Sequence, residues 1–150
     1  YGLDKPLVGA LERYAINGGA ALAIACDLLI AGKTAYLQVG EAQIGMAAPY
    51  NMAWLALRHT EALAARIALV GRRFDGPELL ALGVAHEVVD DAAVLERARA
   101  LTAELAGYPP GGLRSIKRAL RAGAEQDADA WFDRFVGAGP RTVAPPARMP

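Results

Sequence analysis

The stretch from Tyr14 to Asp27 leaves this chain few ways to fold. Tyr14-Ala15-Ile16 runs into Asn17-Gly18-Gly19, and then into a block of small and apolar residues from Ala20 to Cys26. Two glycines after an asparagine make a turn whose backbone is free in φ, so that another backbone or a ligand can come close. The small side chains that follow suit a helix packed tightly on its neighbours. The unit is therefore strand, glycine turn, helix. Upstream, Leu7 to Ile16 carries apolar residues on both faces around Glu12 and Arg13, with Pro6 at its start, and is expected to form one buried strand. Downstream, Asp27–Gly32 and Ala35–Val39 read as two further short strands separated at Gly32-Lys33. This alternation predicts an α/β protein.

From Tyr50 onward the pattern is mostly helical. Helices are predicted over Asn51–Arg58, Glu61–Val70 and Pro77–Leu82, the last opened by Asp75 and ended by Gly83. His86–Asp90 is a short strand. Ala92–Ala106 places Val94, Leu95, Ala98, Leu101 and Leu105 at helical spacing, with Glu96, Arg97, Arg99 and Glu104 on the other side. After the breaker Tyr108-Pro-Pro-Gly-Gly112 come a basic amphipathic helix, Leu113–Ala122, and an acidic-to-aromatic helix, Gln126–Val136. Gly137 to Pro150 is too rich in proline for helix or sheet and is expected to be a disordered tail.

Composition narrows the partners. Lys+Arg and Asp+Glu stand at 16 each, so no net field draws the chain to nucleic acid or to an anionic membrane surface. No run of about 18 apolar residues offers a membrane span. Cys26 is the single cysteine and lies in an apolar run, as a buried small hydrophobe does. A cytoplasmic setting fits these features. His59 and His86 are far apart and no other ligand type clusters with them, so no metal is expected. The first residues, Tyr1-Gly2-Leu3-Asp4-Lys5-Pro6, lack an initiator Met and read as the start of a fragment.

Four ordered segments carry a family resemblance: Tyr14-Ala-Ile-Asn-Gly-Gly-Ala-Ala-Leu-Ala-Ile-Ala-Cys-Asp27, Gly40-Glu41-Ala-Gln-Ile-Gly45, Val70-Gly-Arg-Arg-Phe-Asp75 and Leu82-Gly-Val-Ala-His-Glu-Val-Val89. Together they resemble the carboxy-terminal portion of the crotonase superfamily of enoyl-CoA hydratases and isomerases. The resemblance implies a spiral of β-β-α units over residues 1–91, a helical region over 92–137 and the tail over 138–150. It implies an acyl-CoA-processing enzyme, an isomerase or a lyase, in which backbone N–H groups hold the thioester oxygen as charge develops on it. Gly18 falls at one such position, and Gly19 beside it is the second substrate-binding candidate. No cofactor is implied beyond the coenzyme A of the substrate. The family's trimers, or hexamers, make a homo-oligomer the expectation. The first oxyanion donor and much of the adenine-binding surface belong to an amino-terminal half that precedes the matched segments.

The hydratases of this family use two glutamates. Here Glu41 matches the second, whereas Ala21 occupies the position of the first. Alanine cannot orient or deprotonate a water, which moves the expectation toward isomerisation by one carboxylate in a partly apolar pocket. Glu41 read by position alone is also compatible with a first-turn helix carboxylate without chemistry. The alternative to an enzyme is a catalytically degenerate subunit that binds acyl-CoA or another protomer. Tyr50 and Asn51 are read first as plain helix-start residues and second as lining an altered acyl pocket, with no catalytic role for either. Asp27 is expected to fix a turn or pair locally. The stripe Arg114, Lys117, Arg118 and Arg121 is read first as a solvated face and second as a contact for the CoA phosphates. A dinucleotide-binding fold is a weak third reading, because Gly18-Gly19 lacks the Gly-x-Gly-x-x-Gly spacing and no acidic residue is suitably placed on a following strand.

Overall fold

The computed structural model describes residues 1–124 and 127–137. The chain winds between two small sheets. Strand β1 (Val8–Leu11) lies in the first and β2 (Tyr14–Ile16) in the second, followed by α1 (Gly18–Ala25). Strands β3 (Leu28–Gly32) and β4 (Tyr36–Gln38) repeat the step. Each stacks in parallel on its predecessor, with Val8 opposite Leu28 and Tyr14 opposite Tyr36. A 3₁₀ turn (Glu41–Ile44), α2 (Pro49–Arg58) and α3 (Glu61–Val70) intervene before β5 (Phe74–Asp75) closes the second sheet antiparallel to β4. Helix α4 (Gly76–Ala81) leads back to β6 (Glu87–Val89), which completes the first sheet in the order β1-β3-β6.

Leu7–Ile16 is therefore not one buried strand. It breaks at the bend Glu12-Arg13, and its two halves join different sheets. The polar pair that looked like one interruption in an apolar run is the corner, because both side chains face solvent there. Beyond the corner β2 buries only Ala15. The glycine turn is also shorter than expected: Gly18 and Gly19 already belong to α1, and Cys26 caps its far end, half-buried.

The helices after Tyr50 follow their local signals. Thr60 accepts a hydrogen bond from Leu63 N–H to open α3, and Gly71, at φ 65°, closes it. Asp75 and Glu78 form a reciprocal capping box around the start of α4. Gly76 has no room for a side chain, since a Cβ would lie 2.1 Å from the Gly32 carbonyl oxygen. The main core is shared by both sheets and α1–α4, with Phe74, Ile24, Leu37, Leu55 and Ile67 fully buried or nearly so and Leu11, Leu29 and Ala31 contributed by the first sheet. A second cluster joins Ile30 to Val94, Ala98 and Leu101 of α5 (Val94–Ala106), which covers the first sheet.

Helix α6 (Gly112–Leu120) bears out the solvated-face reading of the basic stripe for Arg114 and Arg118, which are exposed, and corrects it for Lys117 and Arg121. Its cations are engaged by the chain's own first residues and by Asp27. Lys117, buried, sends its Nζ to Asp27 Oδ2 at 2.7 Å and to the Lys5 carbonyl at 2.5 Å. Arg118 pairs with Asp4 at 2.7 Å, and Arg121 donates to the Tyr1 carbonyl. Asp27 also meets Arg58 at 3.2 Å and accepts the Leu7 N–H at 2.7 Å. Its pairing is thus long-range rather than local. One carboxylate ties β1, the end of α2 and α6 into a single joint.

The last described helix, α7 (Ala128–Gly137), lies against α2. The start of its expected span, Gln126, and the proline-rich tail are outside the described residues. Trp131 donates its indole N–H to the Ala53 carbonyl at 3.2 Å, and Phe132 packs edge-on against Trp54 and beside Tyr50.

Two outcomes test this arrangement. Phe74→Ala should lower the unfolding free energy by about 3–5 kcal/mol in urea titration, the cost of a large cavity in a closed core; a loss under about 1 kcal/mol would mean that β5 does not seal the core. Acid should destabilise the chain for a nameable reason. Burial works against the Asp27 charge, but the hydrogen bonds from Lys117 and Leu7 and the charges of Lys117 and Arg58 outweigh it and hold the carboxyl below its usual 3.8. The Arg72 side chain, helped by the Asp75 amide, draws Glu78 from 4.5 to about 2. Groups depressed in the folded state contribute stability above their unfolded values and lose it as pH falls through the folded ones. Melting temperature should therefore hold above pH 5 and drop steeply below about 4.5, with Asp27→Asn less stable at neutral pH and flatter in acid.

Candidate active site

Asn17 is the one non-glycine residue with positive φ among the described residues, at φ 51° and ψ −112°. That conformation turns the chain from β2 into α1, and its backbone N–H, its carbonyl and its side-chain oxygen are all engaged. Its N–H donates to the Gln38 carbonyl at 2.9 Å, which fixes the turn to the end of β4. Its Oδ1 accepts the Gly40 N–H at 2.9 Å, which fixes the start of the Glu41 turn. Its carbonyl accepts from Ala21 N–H and from Asn51 Nδ2, each at 3.1 Å. The second acceptor contact ties α2 to the same corner.

The amides of Gly18 and Gly19 follow, and neither has an acceptor among the described residues. Both residues are exposed at the amino end of α1, where the aligned peptide dipoles leave partial positive charge. A Cβ built on either glycine would meet nothing within 4 Å. Two open donors with free approach are what an anionic oxygen requires.

Glu41 begins the 3₁₀ turn and is only 8% exposed. It is not a surface carboxylate: its Oε1 accepts from Asn51 Nδ2 at 2.8 Å, and among the described residues it has no ion-pair partner and its buried Oε2 has no donor. The loop that presents it is anchored at its other end too, because Gln43 Nε2 and Gln38 Nε2 both donate to the Gly71 carbonyl at 2.9 Å. Gly45, at φ 70°, closes the turn. Asn51, in the first turn of α2, is 2% exposed and bonds to both Asn17 and Glu41. The carboxylate is thus joined through one side chain to the carbonyl that immediately precedes the open amides.

The structure brings Glu41 and the Gly18 turn together and leaves the other titratable candidates apart. Ala21 is buried in the core. His59 caps the far end of α2, where burial, and then the Arg58 charge, lower its pKa. His86 is exposed, and its backbone N–H extends the first sheet by donating to Leu29. No group of three or more His, Cys, Asp or Glu side chains converges among the described residues. No helix among them is long and apolar enough to cross a membrane.

Sequence reasoning passed over Asn17 and Asn51 as working residues. The signal was available: these are the only asparagines in the chain, one ahead of the glycine pair and one in the first turn of a helix behind Glu41. The positive φ at position 17 favours asparagine locally, whereas nothing in the local fold of α2 calls for it at position 51. What both supply is a side-chain amide that bridges segments.

The chain is similar to known proteins in sequence and fold. A family model described as Enoyl-CoA hydratase/isomerase matches residues 1–133. Carnitinyl-CoA dehydratase of Citrobacter koseri is 30% identical over 141 residues, covering 93% of this chain and 53% of its own length. A solved carnitinyl-CoA dehydratase from Mycobacterium avium superposes with a TM-score of 0.78 at 28% identity, over 90% of this chain and 54% of that one. An enoyl-CoA hydratase/isomerase from Pseudoalteromonas atlantica shares the fold with a TM-score of 0.81 at 23% identity, over 91% and 55%. The chain spans about half the length of these relatives. The α/β spiral expected from the four motifs is thus the observed fold.

The Asn17 corner makes a graded prediction. Asn17→Gly keeps the backbone conformation and loses one buried hydrogen bond, at about 1 kcal/mol. Asn17→Ala adds the strain of positive φ on a side chain, about 1–3 kcal/mol more. Chemical denaturation should rank wild type above Gly above Ala; Ala as stable as Gly would show that the corner is not strained.

Proposed function

The chain belongs to the enoyl-CoA hydratase/isomerase family, and from that premise we propose that it acts on an acyl-CoA thioester, with Gly18 as an oxyanion donor and Glu41 as the acid/base. One observation carries the reading: a buried carboxylate with an unpaired oxygen is linked through Asn51 to the turn that holds the open amides of α1. Removing a proton beside a thioester drives electrons onto the carbonyl oxygen. A fixed N–H aimed at that oxygen lowers such a barrier by roughly 3–4 kcal/mol in a site that excludes water. Glu41 Oε2 has no competing partner and can take the proton and return it to the same or a neighbouring carbon, which contributes about 10²–10⁴-fold.

The names of the relatives point to hydration and dehydration as well as isomerisation. Ala21, in the place of a second carboxylate, favours the reading in which Glu41 does the proton transfer alone. The chemistry asks for no metal and no redox cofactor, and coenzyme A arrives as part of the substrate. Exposed Leu22, Leu69 and Leu120 support self-association, with the trimer of the family as the proposed form.

Exchange of the α-protons of butyryl-CoA in heavy water, together with turnover of 2-enoyl- and 3-enoyl-CoA thioesters, tests the assignment. Wild type should exchange and turn over, and Glu41→Gln should lose about 10²-fold or more of both while still binding. Binding without exchange in wild type would favour the degenerate subunit instead.

A further inference from the structure

Helices α1 and α2 are tied together at both ends. At their amino ends Asn51 Nδ2 donates to the Asn17 carbonyl at 3.1 Å; at their carboxy ends Arg58, the last residue of α2, reaches Asp27, just past α1. The second tie is a fork: Nη1 donates to Asp27 Oδ1 at 3.2 Å and Nη2 to the Asp27 carbonyl at 3.1 Å. The two helices therefore run in the same direction, and their lengths put the ties roughly 10–15 Å apart. One tie alone would leave a pivot, whereas two fix both register and tilt. Helix α1 has little other grip along its axis, because the residues it buries are Ala20, Ala21 and Ile24, and alanines raise no ridge to interlock with a neighbour. Parallel helices also set like partial charges side by side, positive at the amino ends and negative at the carboxy ends. Arg58, Lys117 and Arg121 all reach Asp27 at the carboxy ends, where positive charge is favoured. With 22% and 19% of their side chains exposed, Arg58 and Asp27 make a pair that solvent screens less than a surface bridge.

We infer that Arg58 is a positioning residue: its fork on Asp27 sets α1 against α2, and so aligns the Gly18 and Gly19 amides, at the other end of α1, with the Glu41 turn that α2 braces. This rests on the acyl-thioester reading of the site given above. It adds a determinant of rate that touches no substrate. The planar guanidinium engages the carboxylate and the carbonyl of residue 27 together, which the single ammonium of a lysine does not reproduce. A displacement of about 1 Å between reacting groups, caused far from the chemistry, costs up to about 10²-fold in rate.

Two substitutions separate positioning from plain stability. Arg58→Lys keeps the charge and loses the fork, whereas Lys117→Met loosens α6 and leaves Arg58 on Asp27. Each variant of the full chain is melted by circular dichroism and assayed, well below its melting temperature, for exchange of the α-protons of butyryl-CoA in heavy water. Arg58→Lys should melt close to wild type, yet exchange at least about tenfold more slowly at saturating thioester, with KM within about twofold. Lys117→Met should melt lower and exchange at the wild-type rate. In ¹⁵N-glycine-labelled protein the amide signals of Gly18 and Gly19 should shift in Arg58→Lys and hold in Lys117→Met. A wild-type rate in Arg58→Lys, or unmoved Gly18 and Gly19 signals, would overturn the inference and leave the acyl-thioester reading standing. A rate that follows melting temperature across both variants would overturn it as well, by reducing the fork to a contribution to stability. No exchange by wild type would refute the underlying reading and this inference with it.

Discussion

The site depends on one backbone corner. At Asn17 the chain leaves a strand of the second sheet and starts a helix, and the positive φ that this requires is tolerated because the residue's N–H, carbonyl and side-chain oxygen are all bonded. Asparagine is among the few residues that accept such a conformation. Here it is also the only one of them whose side chain caps a neighbouring loop. The same corner therefore exposes the amides of Gly18 and Gly19 and places the turn that carries Glu41. Strain and its support meet in one residue.

Around that corner the molecule divides its charged groups by task. Asp27, Lys117, Arg58 and the residues that meet Asp4 are spent on joining α6 to the first strand and to α2. These pairs satisfy one another, which is why the basic stripe of α6 is a clamp. Glu41 is treated in the opposite way. It is buried with a neutral amide as its partner and keeps one oxygen unengaged. A single amide partner fixes the geometry of the carboxylate without an opposite charge beside it.

The helical face behind the site shows the same economy. Trp131 and Phe132 of α7 pack on α2 beside Tyr50 and Trp54, one residue from Asn51. The aromatic layer and the polar bridge thus share the first two turns of α2. Substitutions in that layer would be felt at the carboxylate through the position of the helix, with no contact to it.

Much of this was legible in the residues. Thr60 and Gly71 mark both ends of α3, Asp75 and Glu78 announce α4, and the spacing of Val94, Ala98 and Leu101 predicts which face of α5 is buried. The motif around Gly18 and the motif around Glu41 pointed to the family and to the two groups that the structure gathers. These signals are local, because capping, turn formation and helical periodicity act within a few residues. What only the tertiary structure decided was long-range. It split Leu7–Ile16 between two sheets, turned the α6 cations toward the chain's start, and made Asn51 the partner of Glu41. Whether a polar side chain is solvated, clamped or poised depends on which distant segment packs against it, and local pattern carries no record of that partner.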